Sequence, residues 1–593
     1  MRTGSPLASN RAGLSLAAVA LAAASAAAQT GPLTWRTIAL TGQPAPGFPA
    51  GVSFAALSDP RLDASGRVGL WIELAGPGIN ATNNSGLWSE RSAPLAMVYR
   101  LGTESPIAGR YWTAIPSPAI DDNGLFALTG TTIASVPVPP TSTTPPTPVT
   151  LAVSSESPAN TWSIVVQEGD TLTGVPGVLS GFHPVLVPSA GSLLFTTGGG
   201  TGLLTAPPLA ALAARLQPAP GAAGNSLYFI DQPIPGGDGI ATFRASLQPD
   251  SNPTPLVDPE YGLYAADAGG PTPIALTNTA APGTLGTWKE FGISVARDAT
   301  GRVAYWGRAV DAAMVERHAI VAGAVGTPTV IAAQSDPAPG TTLTYGPLGR
   351  RPLIAAGKVA FSARLDGGTT ANDAALFLTT LGSTTQLIAQ EGQVAPRLAD
   401  SPVFAGFSEP WLDSAGRVVF TARLTGPSVT RTNNAVLYAA DPAGDLWPLA
   451  RTGDLFTVAP GDTRVIDQII VDSGPPRSGR EALRSYDAPG YAFSRLAVQL
   501  IFRNAALPAP QQITRGIFMA EFGCYANCDG SVVAPALNVA DFVCFLNRFA
   551  ADQALPALQQ SGAYSNCDGS ITPPAINIAD FICFLNRFGA GCG

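Results

Sequence analysis

Hydrophobic and polar residues alternate with a period of two in many short segments, most clearly in Val418–Leu424. The even-numbered residues of this segment are all apolar, and the odd-numbered ones are Val, Thr and Arg. A period of two is the side-chain period of a β-strand. Asp413 and Ser414, just before it, can hydrogen-bond to nearby backbone, and Gly416 can adopt the positive φ of a tight turn. Pro410–Gly426 therefore predicts a strand, a tight turn and a longer strand.

This turn-and-strand phrase recurs along the chain. The glycines of successive copies lie between 48 residues (Gly191 to Gly239) and 67 residues (Gly124 to Gly191) apart. Repeats of this length are typical of propeller blades rather than of helical solenoids. The copies are Asp63–Trp71, Asp122–Ala127, Ser189–Phe195, Gly237–Phe243, Asp298–Tyr305, Ala356–Phe361 and Asp413–Phe420, with Leu496–Phe502 as a strand that lacks the turn.

A second phrase lies between the copies of the first. Val436–Gly453 reads as a strand, a Pro-Ala-Gly-Asp turn and a strand, and its relatives are Gly262–Leu276, Ala319–Ala332 and Ala375–Ile388. Each unit thus supplies about four strands. This predicts a mainly β protein, a β-propeller of about eight four-stranded blades.

The two ends of the repeat region are incomplete in complementary ways. Trp35–Gly47 corresponds to the end of a unit without its beginning, and Arg515–Glu521 to the middle of a unit without its end. Joined, they complete one blade from both termini, and a ring closed in this way has no unpaired edge strand. We expect a closed ring, with an open linear β-array as the alternative.

Two segments depart from the repeat. Val136–Thr150 is rich in Pro and Thr and predicts an extended surface loop. Pro207–Gln217 predicts a short helix that starts at a proline, set into a connection between blades.

The first 28 residues have the pattern of a secretory signal peptide. Arg2 and Arg11 precede the apolar run Leu14–Leu21, and three alanines before Gln29 offer a cleavage site. No later segment has the roughly 18 unbroken apolar residues of a membrane span. We expect an exported protein, with an uncleaved anchor helix as the alternative reading of the leader.

Charge excludes two classes of partner. The leader holds two Arg and no acidic residue, so the rest of the chain has 31 basic and 41 acidic side chains, a net charge of about −10. Nucleic acids need a basic surface, and anionic membranes need a face rich in Lys and Arg. We expect neither a nucleic-acid partner nor binding to a membrane surface.

The repeated phrase, with its NxxGxxAF-like form and its DxxGRVxF variants, resembles the choice-of-anchor tandem repeat NxxGxxAF family of secreted bacterial proteins. The resemblance covers roughly Trp35–Glu521. It implies secretion and a C-terminal anchoring module, and it brings no catalytic residues with it. The expected domains are a signal peptide at 1–28, a propeller at 29–522 and an anchoring domain at 523–593.

The tail is a duplication that contains all six cysteines. Tyr525–Phe549 and Tyr564–Phe588 are identical at 18 of 25 positions without a gap. Six cysteines allow fifteen pairings, and one of them respects the duplication. A zinc site is the alternative use of these residues, but the tail has no His and export favours oxidation. The expected disulfides are Cys528–Cys544, Cys567–Cys583 and Cys524–Cys592.

Each copy of the duplication ends in an amphipathic helix. Phe residues and one Leu recur at i, i+3, i+4 and i+7 and form one apolar face. Two such faces can bury each other, which predicts a small paired-helix module; a groove for a partner is the alternative. The two faces consist of Phe542, Phe545, Leu546 and Phe549, and of Phe581, Phe584, Leu585 and Phe588.

The tail resembles the GC-type dockerin domain, and its last residues match the closing phrase of that family. The resemblance implies two EF-hand-like calcium loops and an anchoring role on a cohesin-like or other cell-surface partner. The ligand positions it assigns are Asn527, Asp529, Ser531 and Asp541 in the first loop, and Asn566, Asp568, Ser570 and Asp580 in the second.

Both loops depart from the standard calcium loop. Tyr525 and Tyr564 stand at the first ligand position, and five extra residues separate the two halves of each loop. Asn538 and Asp541 can instead form a capping box at the start of the helix, with Asp529 in a turn.

The sequence contains no recognisable catalytic set. The chain has two histidines, His183 and His318, on apolar stretches and without a nucleophile elbow, a metal-binding helix or a phosphate loop. The aspartates of the repeated phrase serve turns. We therefore expect a non-enzymatic exported propeller that is anchored through its tail. A carbohydrate- or peptide-binding propeller and, beyond it, a glycan-active hydrolase are the alternatives.

Overall fold

Short antiparallel strands in eight sheets dominate the computed structural model of the chain. The structure describes residues 33–590 except 64, 93, 122, 134–149, 157–158, 160, 183–185, 190–191, 199, 232, 237, 239, 251–259, 414, 441–443, 472–482, 489–490, 504–512, 523–524, 529–536, 557–559, 561–562, 569 and 571–572. The predicted signal peptide and nearly all of the Pro/Thr-rich segment lie outside these described residues.

The first strand, β1 (Thr34–Leu40), is followed by seven sheets that the chain forms one after another. Blade 1 contains β2 (Ser53–Leu57), β3 (Arg61–Leu62), β4 (Val68–Ala75), β5 (Ser85–Ser89) and β6 (Ala96–Arg100). Blade 2 contains β7 (Tyr111–Ile120), β8 (Phe126–Ile133), β9 (Thr150–Glu156) and β10 (Trp162–Gln167). Blade 3 contains β11 (Leu186–Ser189), β12 (Ser192–Thr197), β13 (Gly202–Ala206) and β14 (Ala210–Ala214). Blade 4 contains β15 (Asn225–Ile230), β16 (Ile234–Pro235), β17 (Ala241–Pro249), β18 (Glu260–Asp267) and β19 (Gly270–Leu276).

The next three sheets have the same pairing order. Blade 5 contains β20 (Thr287–Arg297), β21 (Arg302–Val310), β22 (Glu316–Ala324) and β23 (Thr329–Ala333). Blade 6 contains β24 (Thr344–Leu348), β25 (Leu353–Ala355), β26 (Lys358–Asp366), β27 (Ala374–Thr380) and β28 (Thr385–Gln390). Blade 7 contains β29 (Val403–Phe407), β30 (Trp411–Leu412), β31 (Val418–Thr425), β32 (Ala435–Ala440) and β33 (Leu446–Arg451).

The eighth sheet, called the closing blade, combines both ends of the repeat region. Its C-terminal strands are β34 (Leu455–Ala459), β35 (Asp462–Ile470), β36 (Leu483–Ala488), β37 (Tyr491–Arg503) and β38 (Ile513–Phe522). β1 pairs antiparallel with β38, from Thr34 opposite Glu521 to Leu40 opposite Gly516. The predicted eight-bladed propeller closed by both termini is therefore confirmed.

Hydrophobic side chains fill the seams between neighbouring blades. The described residues form eight such clusters, one for each pair of adjacent sheets, including the closing blade and blade 1. On β31, Val418 and Phe420 lie in the seam with blade 6, while Val419 lies in the seam with the closing blade. Burying a side chain such as Phe420 stabilises the fold by roughly 1.5–3 kcal/mol. Each blade is thus held by both neighbours.

In blade 5, a buried aspartate accepts the hydrogen bonds that fix the tight turn before the second strand, β21. In blade 5, Asp298 Oδ1 accepts the backbone N–H groups of Thr300 (2.9 Å) and Arg302 (3.1 Å). Gly301, between them, has a φ of 82°, which glycine adopts without steric cost. Asp298 Oδ2 accepts Arg302 Nε (2.9 Å) and the N–H of Gly357 in blade 6 (3.2 Å). One carboxylate therefore holds its own turn and the turn of the next blade.

The turn of blade 2 differs from the sequence prediction by one residue. Asp121 accepts the N–H groups two and four residues ahead, at 2.8 and 2.7 Å. Asp122 itself lies outside the described residues. In the other copies the aspartate precedes the turn glycine by three residues, and relative to Gly124 that spacing selects Asp121.

The helix predicted for Pro207–Gln217 is wrong. The segment contains β14, which pairs with β13 so that Leu203 is opposite Ala213. Leu212 is buried in the seam with blade 4. A helix here would have left the edge of β13 without a partner, and that cost outweighs the helix propensity of the alanines.

In the described part of the tail, two helices follow the closing blade, α1 (Val539–Gln553) and α2 (Ile578–Ala590). Neither they nor any other helix in the described part of the chain combines the length and apolar character needed to cross a membrane.

We predict that cysteines at Thr34 and Glu521 form a disulfide under oxidising conditions, because these residues face each other across β1 and β38. Peptide mapping of the non-reduced protein would identify the crosslinked peptide. Cysteines at Thr34 and Thr514 are the control, since Thr514 lies near the opposite end of the strand pair. Absence of the first crosslink, or equal formation of both, would contradict the closure.

We predict that Asp298→Ala lowers the free energy of unfolding by roughly 3 kcal/mol, because buried N–H donors lose their acceptor. Asp311→Ala is the control: in an exposed turn Asp311 accepts the N–H groups of Ala313 and Val315, two and four residues ahead as at Asp298, and its loss should cost less than about 1 kcal/mol. Denaturant unfolding measures both. Equal costs would contradict the assigned role.

The acid dependence of Asp298 gives a further prediction. Burial opposes ionisation, but hydrogen bonds from Thr300 and Arg302 outweigh it and hold the pKa of Asp298 below its usual value. A lowered pKa stabilises the fold above the unfolded pKa, and this contribution disappears as the pH falls through the folded pKa. The stability difference between the native protein and Asp298→Asn should therefore shrink between pH 7 and pH 3.

Candidate functional site in the duplicated C-terminal module

Phenylalanines from both helices form the core of the C-terminal module. Phe545 and Phe584 are fully buried, and their rings stack with centroids 3.9 Å apart and planes 9° apart. Phe542 and Phe581 pack edge to face beside them, at 6.0 Å. The predicted burial of one helix face by the other is confirmed for the phenylalanines.

The leucines of the predicted faces do not share this core. Leu546 is 39% exposed and Leu585 is 41% exposed. Each follows the central phenylalanine by one residue, which turns it about 100° away from the contact. The prediction that they are buried was wrong because the large phenyl rings alone fill the space between the helices.

A second apolar stripe runs along each helix and is exposed. Its members are spaced at i, i+4 and i+7, so each stripe lies on one side of its helix. In α1 they are Val539 (76% exposed), Val543 (48%) and Leu546 (39%), and in α2 Ile578 (69%), Ile582 (51%) and Leu585 (41%). We call these the α1 stripe and the α2 stripe.

Two disulfides connect the loops to the helices, Cys528–Cys544 and Cys567–Cys583. These are the two pairings that the duplication predicted. Cys524 and Cys592, the third expected pair, lie outside the described residues. In each pair the cysteines are 16 residues apart. Closing a loop of this length stabilises a fold by roughly 3 kcal/mol in the chain-entropy model.

The helix starts have the capping box proposed as the alternative to metal binding. Asn538 accepts the N–H of Ala540 (2.7 Å), and Asp541 Oδ2 accepts the N–H of Asn538 (2.9 Å). Asn577 and Asp580 repeat the arrangement in the second copy. One oxygen of each terminal aspartate is therefore used by its own helix.

The second loop brings all four of its predicted ligands together. Asp568 donates its N–H to Asp580 Oδ1 (3.1 Å), and Asp568 Oδ1 accepts the N–H of Ser570 (2.9 Å). Asn566 Nδ2 donates to the carbonyl of Ser570 (2.8 Å). In the first loop, Asn527 and Asp541 are fully buried. Asp529 and Ser531 lie outside the described residues.

The electrostatics of the second loop fit a hard cation. Burial, together with the neighbouring carboxylate of Asp568, raises the pKa of Asp580 to about 6. Two carboxylates and neutral oxygen donors at one place are the ligand chemistry that Ca²⁺ prefers. Asn566, Asp568, Ser570 and Asp580 would hold the ion, and its positive charge would favour the ionised form of Asp580. The described residues contain no group of three or more His, Cys, Asp or Glu side chains that could hold a metal ion.

The tyrosines at the first ligand position have a role that the sequence did not reveal. Tyr525 donates its hydroxyl to the carbonyl of Tyr564 (2.8 Å), and Tyr564 donates its hydroxyl to the carbonyl of Tyr525 (2.7 Å). Their rings stack at 4.9 Å. The pair therefore fastens the two copies to each other. The one available signal was that both copies carry Tyr at the same place.

Most aromatic side chains of the propeller whose burial the structure describes are buried or half-buried, and Phe229 is 43% exposed. All nine Trp residues of the chain are buried or half-buried, and no Tyr whose side chain the structure describes is exposed. His318 packs against Trp306, with ring centroids 5.1 Å apart. Burial and the nearby Arg350 and Arg308 lower the pKa of His318. His183 lies outside the described residues.

Blade 6 contains a pair of interacting carboxyl groups, Glu391 and Asp373. Burial and a hydrogen bond with Asp373 raise the pKa of Glu391. Arg364 binds Asp373 at 2.6 Å, and Glu391 accepts the N–H of Ala374 at 3.1 Å. The catalytic carboxyl pairs of glycosidases lie roughly 5–9.5 Å apart with the sugar between them. Here Asp373 pairs with Arg364 and Glu391 accepts a backbone N–H, so each carboxyl group is held by its own neighbour within the blade.

The chain matches a protein family and is similar to several solved structures. A family of unknown function (DUF7453) matches it twice, over residues 11–256 and 254–482. No curated protein matches it. The chain is similar to the WD40 domain of SCAP from fission yeast, with 10% identity, a TM-score of 0.33 and coverage of 84% of this chain and 99% of that one. It is similar to the Dos1 propeller, with 9% identity, a TM-score of 0.31 and coverage of 79% and 94%.

A mutant of Trypanosoma rangeli sialidase displaying trans-sialidase activity is also similar, with 10% identity and a TM-score of 0.24. The match covers 74% of this chain and 57% of the sialidase, so the chain spans little more than half of that protein. At these TM-scores the likeness indicates neither a shared site nor a shared activity.

We predict that calcium binding to the second loop tightens as the pH rises from 5 to 7.5, because the ion displaces a proton from Asp580, whose pKa is raised to about 6. Below that pKa, the affinity should fall by about tenfold per pH unit. Calorimetry on the full chain measures it. Asp580→Asn is the comparison variant: it should weaken binding and remove the pH dependence, and Asn566→Ala should weaken binding while keeping it. Binding that does not vary with pH would contradict the assignment.

Proposed function

The chain belongs to the DUF7453 family, whose function is unknown, and we propose that it is an exported, non-enzymatic propeller anchored at the cell surface or in an extracellular assembly through its C-terminal module. The observation that carries the proposal is the pair of exposed apolar stripes on α1 and α2. Six large aliphatic side chains project from two short helices, and contiguous exposed apolar surface marks interaction sites.

The duplication supports this interpretation of the stripes. The copies differ at 7 of 25 aligned positions, yet all three stripe positions remain aliphatic in both: Val539 and Ile578, Val543 and Ile582, Leu546 and Leu585. Solvent-exposed helix positions have no folding reason to remain aliphatic. The partner we propose is a cohesin-like or other cell-surface protein with an apolar face, in line with the dockerin resemblance.

Export is supported by the leader pattern and by the cysteines. Disulfides persist in oxidising compartments and are rare in the cytosol, and two lie within this small module. The tail also contains the loop that fits calcium, an ion that is abundant outside the cell.

We propose that the protein is not an enzyme because the candidate acid groups are already held in hydrogen bonds to the backbone. Asp63, Asp298 and Asp413 are at most 4% exposed, and each accepts backbone N–H groups of its own turn. Groups held in this way stabilise turns and are not available to a substrate.

We predict that Val543→Asp combined with Ile582→Asp releases the protein from the envelope fraction of producing cells into the medium, and that truncation after residue 522 does the same. A charge in the centre of each stripe opposes burial against an apolar partner and should weaken anchoring by roughly 100-fold. Quantitative immunoblotting of the two fractions measures the release.

Ala540→Asp with Ala579→Asp is the matched control. These exposed residues lie about 100° from the stripes and early in each helix, where an acidic side chain is favourable. The control should remain with the cells. Equal retention of the stripe variant, the truncated chain and the control would refute the anchoring role.

A further inference from the structure

One arginine of the propeller holds the second loop of the C-terminal module. Arg397 lies in the connection between β28 and β29 and is 5% exposed. Its Nη1 donates to the carbonyl of Asn566 (2.5 Å) and its Nη2 to the carbonyl of Cys567 (3.3 Å). Its Nε donates to the carbonyl of Leu446 in blade 7 (3.2 Å). The guanidinium thus joins blade 7 to the module.

The same guanidinium ends a column of stacked groups that crosses the interface. Arg397 lies 3.4 Å from the ring centroid of Trp447, and Trp447 stacks on Tyr525 at 5.0 Å with a 24° angle. Tyr525 in turn stacks on Tyr564. Beside the column, Asp445 of the propeller forms an ion pair with Arg587 of α2. Cation–π and aromatic contacts of this kind strengthen when they are desolvated.

Arg397 also has an unusual backbone conformation. Its φ is 62°, a region that costs free energy for residues other than glycine. Four corresponding connections have glycine there: Gly47, Gly221, Gly283 and Gly340, with φ between 66° and 80°. At Gly340 a Cβ atom would lie 2.8 Å from Leu387. This blade therefore replaces the glycine of its repeat with a strained arginine, and strain of this kind persists where a function requires it.

We propose that the connection between blades 6 and 7 is a docking site for the chain's own C-terminal module, and that Arg397 is the residue that confers it. The chain enters the module from β38 of the closing blade, while Arg397, Asp445 and Trp447 belong to the blade 7 side. The docked module therefore bridges the seam between these blades. Both stripes remain exposed to a similar extent, so docking fixes the orientation of the module without covering either one.

The docking does not depend on the proposed anchoring function, because its test measures contacts within the chain and needs no partner. Arg397→Gly in the full chain is the central variant. It restores the residue of the other repeats and relieves the backbone strain, so the propeller should unfold at an unchanged or higher temperature. The loss of the guanidinium should undock the module.

Hydrogen exchange measured by mass spectrometry and small-angle X-ray scattering test this directly. In Arg397→Gly we expect amide exchange in segments 444–451 and 563–568 to accelerate by tenfold or more, and the radius of gyration to increase. Arg423→Gly is the control, since Arg423 is exposed on β31 of the same blade, and it should change neither measurement.

A second variant separates docking from folding. Trp447→Ala removes the middle of the column and should accelerate exchange in segment 563–568 while the two disulfides of the module remain intact. Exchange and radius of gyration that stay at native values in both Arg397→Gly and Trp447→Ala would overturn the proposal. Release of the stripe variants from cells would be unaffected by that outcome.

Discussion

Each blade of this ring depends on hydrophobic contact with a neighbour on both sides, and the pairing of β1 with β38 provides that contact where the chain ends meet. Without β1, the closing blade would lose its outer strand and the seam that contains Ile38, Ala39 and Met519 would open. The buried aspartates add a polar link between turns of adjacent blades, as Asp298 does with Gly357. Apolar burial supplies the cohesion, and the turns fix the register.

The C-terminal module uses a different solution, because it is too small for a core of this kind. Stacked phenylalanines, two disulfides and the reciprocal bonds of Tyr525 and Tyr564 hold it together. Tyr525 and Tyr564 stand where the dockerin resemblance implies the first metal ligand, and they provide a contact between the two copies. The same tyrosines then provide the aromatic surface that meets Trp447. These tyrosines therefore contribute both to the cohesion of the module and to its contact with the propeller.

Much of the fold could be predicted from the sequence, because the period of two, the turn glycines and the repeat length are local signals. The closure was predictable for the same reason, since the missing strands at each end were complementary. The strand at Pro207–Gln217 was missed because pairing with β13 overrides local propensity. The burial of Leu546 and Leu585 was predicted wrongly because the helical period identifies an apolar face but not how much of that face the other helix covers. The link between Arg397 and Asn566 joins distant segments, and no local pattern records it.

Closure by β1 also determines when the ring can be completed during synthesis of the chain. The strand that is synthesised first, Thr34–Leu40, finds its partner only when Ile513–Phe522 has emerged. Contacts between such distant residues form slowly because the intervening chain must be ordered first. Until then the nascent protein carries an unpaired edge strand and an open seam, both of which invite association with other chains. A chain that is synthesised gradually therefore passes through an unfinished ring, and this interval is the one in which the architecture is most exposed to association with other chains.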